Sequence, residues 1–293
     1  MSSCGCYEET TESSSPQLPQ PSTSTSISTD STIAYNTSLP GTPQTIRISK
    51  PENWNSLPLY KKIRYYGTQL TEIYGTFSDK LIAKDIIETF CREDEIKVAR
   101  VVRTLSSPDD VSTEDICANW IIRASHAFGW DVDLDTSKSA SEIVPVLHSW
   151  NKPYLYCRRE YQYKFIQPMF FIEEKIVDKH QGITANPTMY MVRCIYGKPH
   201  TISVVNRVNK MNILYDITWK KLNATKQTSE KPINLDKMLE LSERLSGLFE
   251  FVRIDFNIGA GDELYFNGFS FTPSGGNRVF SESLEMKLGE PWV

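Results

Sequence analysis

The stretch Phe251-Val252-Arg253-Ile254-Asp255-Phe256-Asn257 carries the most chemistry in this sequence. Side chains alternate along a strand, so Phe251, Arg253, Asp255 and Asn257 share one face and Val252, Ile254 and Phe256 take the other. A strand of this kind aims a guanidinium and a carboxylate to one side while burying large apolar groups on the other. Two readings stand: the floor of a site, or an Arg–Asp pair that only holds a sheet surface together, because structural ion pairs mimic functional ones. Arg207 follows an expected strand; there it is either an anion holder, through its planar fork, or an exposed strand-edge arginine. His126 lies in a loop near Gly129, as an ordinary loop histidine or a site residue. His148, His180 and His200 show no metal-ligand spacing and have no neighbouring nucleophile. Neither the common phosphate loops, G-x-x-x-x-G-K-[ST] and G-x-G-x-x-G, nor the hydrolase elbow G-x-S-x-G occurs.

These residues need elements to position them. The spacing predicts helix over 59–73, then Ser78-Asp79 as an N-cap for a helical run at 80–90. Strands are expected at 96–102, 119–123 and 168–173, with 139–162 largely helical but interrupted at Pro153. Further strands are expected at 188–196, 201–206 and 211–215, with Gly197-Lys198 as a turn. Helix 234–246 has Asn234 as N-cap, a Leu235, Met238, Leu241 and Leu245 stripe, and Gly247 as its stop. The final pair, 249–257 and 263–272, is joined by Gly259-Ala260-Gly261-Asp262, a hairpin signal. Mixed helices and antiparallel strands give an α+β class.

Composition separates a tail from a body. The 293 residues carry 32 Lys+Arg and 36 Asp+Glu, a formal net charge of −4. Residues 1–46 hold no Lys or Arg and four acids, Glu8, Glu9, Glu12 and Asp30, so the remainder has 32 of each sign. A neutral body argues against nonspecific nucleic-acid binding, which needs a basic surface. Ser, Thr and Pro make up 22 of the first 40 residues, too few apolar groups to offset ordering entropy. We therefore expect 1–45 to be a disordered tail and 46–293 to be the folded domain. No stretch approaches the roughly 18 apolar residues of a membrane span, and the N-terminus lacks a secretory pattern. Cys91, Cys117, Cys157 and Cys194 are scattered without zinc spacing and read as reduced thiols of a cytoplasmic protein, whereas Cys4 and Cys6 read as two exposed thiols of the tail or as a palmitoylation site.

In order along the chain, these pieces resemble the TupA-like ATP-grasp family of teichuronopeptide and surface-polysaccharide biosynthesis. The resemblance spans about 77–289. It begins with Ser78-Asp79-Lys80 and Ala83-Lys84-Asp85, and continues with Ile121-Ile122-Arg123 and Ser125-His126 before Gly129. Glu160-Tyr161-Gln162-Tyr163, Pro168 and Ile172-Glu173-Glu174 come next, then Cys194, Gly197-Lys198, Arg207 and Asp216 with Trp219. Its best stretch runs Ile233-Asn234-Leu235-Asp236-Lys237-Met238, Leu245-Ser246 and 251–256. Tyr265-Phe266, Phe271-Thr272-Pro273, Gly276 and Leu288-Gly289 close it.

This resemblance implies an ATP-grasp fold, two α+β lobes at about 46–175 and 176–293 clamping a nucleotide. It implies ATP and Mg²⁺ as cofactors, a carboxylate or sugar-linked substrate, and ligation of a carboxylate to an amine through an acyl phosphate. By position, Lys80 and Arg123 would touch the phosphates and the loop with Ser125, His126 and Gly129 would cover them. Glu173, Glu174 and Ile176 would form the adenine hinge. Asp255 and Ser270 would stand on the metal side, and Arg207 and Arg253 would face phosphate or acceptor. Three positions depart from the family. Its metal-binding Glu is Gly268, its D-Y-K triplet is Met189-Tyr190-Met191, and its strand-end Lys is Arg123. Losing a metal ligand and a cation slows phosphoryl transfer, which rests on positioning and charge. A catalytically impaired homologue that binds a nucleotide or a partner is therefore the alternative expectation, and an interaction platform recruiting through its tail is a third.

Overall fold

Two larger sheets organise the protein, and the chain passes from one to the other through a short segment after its first strand and returns later. The computed structural model describes residues 45–135, 138–154 and 159–293. The expected tail (all but its last residue), Cys4, Cys6, Cys157 and part of the expected helix 139–162 lie outside the described residues.

Helices α1 (Leu59–Gly67) and α2 (Glu72–Ser78) replace the single helix expected over 59–73. Helix α3 (Lys80–Phe90) begins at the expected cap: Asp79 accepts from the backbone N–H of Leu81 at 2.9 Å and of Ile82 at 3.3 Å. The run 96–102, expected as one strand, is two. Strand β1 (Lys97–Val98) belongs to one sheet and β2 (Val101–Leu105) to the other. Strands β3 (Trp120–Ala124) and β4 (Asp131–Asp133), helix α4 (Ala140–Trp150) and β5 (Phe170–Glu174) follow. The four-stranded sheet has the order β2-β5-β3-β4. A small hairpin, β6 (Val177–Asp178) and β7 (Gly182–Ile183), leads to β8 (Met189–Ile195), β9 (Lys198–Asn206) and β10 (Met211–Asp216). Helix α5 (Leu235–Ser246), β11 (Phe251–Ile258), β12 (Leu264–Ser270) and α6 (Glu282–Gly289) complete the chain. The second sheet has the order β1-β12-β11-β8-β9-β10, antiparallel except for β1 beside β12.

The turns follow from backbone sterics. Tyr196 and Gly197 join β8 to β9 with φ of 51° and 74°, the two left-handed residues of a tight hairpin turn. The turn therefore sits one residue earlier than expected. Asn234 occupies the N-cap position of α5, but its amide donates to Asp262 O at 2.7 Å and makes no cap bond.

Each sheet has its own apolar core. Strand β11 is buried along its whole length, with Val252, Ile254 and Phe256 packed beside Leu235, Met238 and Leu241 of α5. Residues of α1 to α3 and Ile96 join this same core, so the expected lobe 46–175 supplies side chains to both cores. Phe251 stacks on Trp292 at 4.8 Å, and the Asn257 amide donates to Thr188 O at 2.9 Å. Of the four residues expected on one face of β11, that leaves Arg253 and Asp255 to face the space between the sheets.

Asp79 ties α3 to the loop after β3, because the Ser125 hydroxyl donates to its second oxygen at 3.3 Å. Asp79→Ala removes both cap bonds and this tie. It should destabilise the protein by about 1–2 kcal/mol, read as a lower denaturant midpoint at unchanged slope.

Candidate functional site

The two sheets enclose a cavity of about 80 Å³ lined by Lys80, Arg123, Gly129, Arg207, Arg253 and Asp255, among others. A volume of this size holds several waters, at ~10–15 Å³ each on the same measure. Helix α3 supplies Lys80 from its first turn, β3 supplies Arg123 and the end of β9 is followed by Arg207. Strand β11 supplies Arg253 and Asp255. Four cations thus meet two lining acids, Asp131 and Asp255.

Each cation is held differently. The Lys80 ammonium donates to Ala124 O at 2.5 Å and to Ala127 O, which fixes its stem under the 125–129 loop. Burial pushes its pKa down to about 8, against the opposing pull of Asp131. Arg123 Nε lies 2.5 Å from Glu173 Oε1, a charge contact without hydrogen-bond alignment. The other Glu173 oxygen is 3.0 Å from Lys84 Nζ. Burial opposes the Arg123 charge, yet Glu173 and Asp131 hold its pKa above the ordinary value. Arg123 Nη1 also reaches Asn267 Oδ1 of the other sheet at 3.5 Å. The Arg207 guanidinium sits 5.4 Å from the Phe128 ring and closes the cavity's rim. Arg253 donates twice to Asp255, Nε to Oδ1 and Nη2 to Oδ2, both at 2.7 Å.

Seven of the residues singled out in the sequence thus line one cavity: Lys80, Arg123, Gly129, Arg207, Arg253, Asp255 and Ser270. The other five do not. Ser125 is fully buried against Asp79. His126 is also fully buried: Met169 N–H donates to its Nδ1 at 3.2 Å, and its Nε2 faces Trp150 O at 3.1 Å. Burial lowers its pKa and keeps the ring neutral, with Trp130 and Phe170 packed on it edge to face. Both residues support the loop from beneath. Glu173 lies behind Arg123 and Lys84. Glu174 pairs with Arg100, and Ile176 joins it in lining a separate groove of about 520 Å³. Asp131 and Asn267 were missed; an Asp-x-Asp strand and an Asn beside the departed Glu position were their only local signals.

The metal side can be tested directly. Both Asp255 oxygens are taken by Arg253. Gly268 stands opposite Asp255 in the β11–β12 register and offers no side chain. No group of three His, Cys, Asp or Glu suited to a metal occurs among the described residues. The described residues thus offer no complete protein-held Mg²⁺ set, and Asp255, with one lone pair left on each oxygen, would hold the ion only beside bound phosphates. Neither the backbone nor space requires glycine here, because a Cβ on Gly268 meets nothing within 4 Å and its φ is not left-handed.

A sequence profile of the family described as TupA-like ATPgrasp matches residues 59–293. The chain belongs to this family. Its fold is accordingly an ATP-grasp fold of α+β class. Among solved structures it is similar to the D-alanine–D-alanine ligase from Bacillus anthracis, crystallised with ATP, at 12% identity and TM-score 0.40, covering 68% of this chain and 54% of that one. It is also similar to the L-amino acid ligase from Bacillus licheniformis, at 11% identity and TM-score 0.44, covering 76% and 50%. The chain thus spans about half the length of these structures. No curated protein matches it. No helix among the described residues is long and apolar enough to cross a membrane.

Gly268→Glu restores a carboxylate beside Asp255. Mg²⁺ alone, without nucleotide, should then raise the melting temperature of the variant and leave that of the wild type unchanged. Equal responses of the two proteins would show that position 268 is not the missing ligand.

Proposed function

We propose that this protein binds ATP in the cleft between its sheets and acts as a carboxylate–amine ligase in the assembly of a surface polymer. The observation behind this reading is the convergence of Lys80, Arg123, Arg207 and Arg253, drawn from three elements and the turn after β9, on one cavity. Phosphoryl transfer asks a protein chiefly for positioning and for compensation of charge. Lys80 and Arg123 would grip the phosphates, and Arg207 would close over them from the Phe128 rim. Arg253, oriented by Asp255, would face the charge that develops on the transferred group. Glu173, Glu174 and Ile176 remain the proposed hinge for the base, and 46–175 and 176–293 the proposed lobes. In the overall reaction a carboxylate oxygen bonds the terminal phosphorus as ADP departs. An amine nitrogen then bonds the acyl carbon as phosphate departs and the nitrogen loses a proton.

A specific observation favours a second reading. With Asp255 committed to Arg253 and no side chain at Gly268, the cleft holds phosphate cations without a matching metal set. A catalytically impaired homologue that binds nucleotide and serves as a scaffold would have this site.

Melting with and without Mg-ATP tests both. A ligand at about a hundred times its Kd adds ~2.7 kcal/mol of stability, and no shift at millimolar Mg-ATP would overturn both readings. A shift accompanied by ADP release favours the ligase. A shift with no ADP release, and with release gained in Gly268→Glu, favours the impaired homologue.

Lys80 makes the affinity pH-dependent. Its folded pKa of about 8 lies below the free value, so the empty cleft loses this charge as pH rises through 8. Bound phosphate favours the charged form. Affinity should therefore be full below pH 8 and weaken above it, with a proton taken up on binding near pH 8.5. Calorimetry in two buffers of different ionisation heat reads that uptake, and Lys80→Met should abolish it.

A further inference from the structure

The register of β8 and β11 sets Arg193 directly opposite Arg253 on the same face. Like charges in that relation repel. Arg253 is neutralised by Asp255, whereas Arg193 has no ion pair among the described residues. Arg193 is 8% exposed. Its Nη1 donates to Ser203 Oγ at 2.9 Å and, at the limit of reach, to Thr201 Oγ1 at 3.5 Å, and its guanidinium lies 5.7 Å from the Phe280 ring. A guanidinium has five N–H donors, and neutral hydroxyls meet few of them. Burial, reinforced by Arg253, pushes its pKa down to about 10 against the weaker pull of Glu285 and Asp255, so it is still charged at neutral pH. A buried charge whose acids stand beyond ion-pair distance is only partly offset, and an anion in direct contact with it is favoured.

Arg193 borders a second cavity, of about 670 Å³, together with Arg207, Arg253, Arg278 and Asn277. Glu160 is the one acid on its wall. This cavity shares Phe128, Met189, Arg207 and Arg253 with the first, so the two are continuous. A purely structural arginine would not need three further arginines around a space of that size.

We propose that Arg193 anchors an oxyanion subsite, which takes a carboxylate or phosphate group carried by the molecule whose other end reaches Arg253. Calling that molecule a substrate rests on the ligase reading; the anion site itself does not. Arg193 supplies free N–H donors in a bidentate fork, Arg278 and Asn277 line the outer wall, and Glu160 limits the excess charge. An uncharged group would leave Arg193 with only the more distant Glu285 and Asp255 to offset its charge.

The test uses the full chain without nucleotide. Inorganic phosphate and succinate, in separate titrations at constant ionic strength, should raise the melting temperature of the wild type, and the more effective one identifies the oxyanion. Arg193→Met should weaken the effective anion about tenfold or more, the factor expected for losing a charge-assisted hydrogen bond. The same variant should melt higher than the wild type without anion, since it removes an incompletely compensated buried charge. No effect of either anion on the wild type, or an undiminished effect on Arg193→Met, overturns the proposal. Should that variant fail to fold, hydrogen exchange of the Arg193 Nε–H in the wild type decides. Slowing by the anion supports the subsite and unchanged exchange overturns it. The Mg-ATP response of Arg193→Met separates the two proposals: an intact response with a lost anion response places the subsite outside the nucleotide cavity. A lost ATP response in the wild type sinks the ligase reading alone.

Discussion

The cleft's chemistry depends on one buried ion pair. Arg253 and Asp255 sit two residues apart on the all-buried strand β11 and satisfy each other through two hydrogen bonds of 2.7 Å. Removing either partner of such a pair leaves a charge in a poorly solvated place, at a cost of about 3–5 kcal/mol. The pair therefore fixes how the remaining charges are distributed. Both Asp255 oxygens already accept from Arg253, and Gly268 across the ladder adds no ligand. Arg193, on the other neighbouring strand, has no carboxylate within ion-pair distance among the described residues, and Glu285 and Asp255 offset its charge only from farther away. Poverty on the metal side and surplus on the anion side both follow from the commitment of Asp255 to Arg253.

Local pattern carried much of this fold. Asp79 before an apolar helical run, the stripe of α5 and the hairpin of β11 and β12 are all properties of neighbouring residues, and each is present in the structure. The failures are non-local. Ile96 to Val102 reads as one strand because alternation cannot reveal that Ala99 and Arg100 carry the chain from one sheet to the other. Helix 59–73 breaks after Gly67 because α2 turns to pack beside α3, which tertiary contacts decide.

The site shows the same division. Arg253 and Asp255 could be read from periodicity, and Lys80, Arg123 and Arg207 from family resemblance. Ser125 and His126 stand in the right loop, but their side chains turn inward, to Asp79 and to the Trp150 carbonyl. A motif gives the position of a residue, whereas the direction of its side chain depends on packing. The isolation of Arg193 was invisible for a similar reason. It comes from the pairing of β8 with β11, strands separated in sequence by β9, β10 and α5.

The pairing of β1 with β12 bears on how the chain is made. Lys97 and Val98 add to the sheet only against Tyr265 and Phe266. At ~5–20 residues per second, a ribosome needs roughly 10–30 seconds to travel that distance. Meanwhile α1 to α3, whose apolar faces belong to the same core, have no sheet to cover them. The four-stranded sheet, drawn wholly from 101–174, can assemble in that interval. The first helices to emerge are thus among the last to be buried, and their apolar faces stay exposed through most of the chain's synthesis.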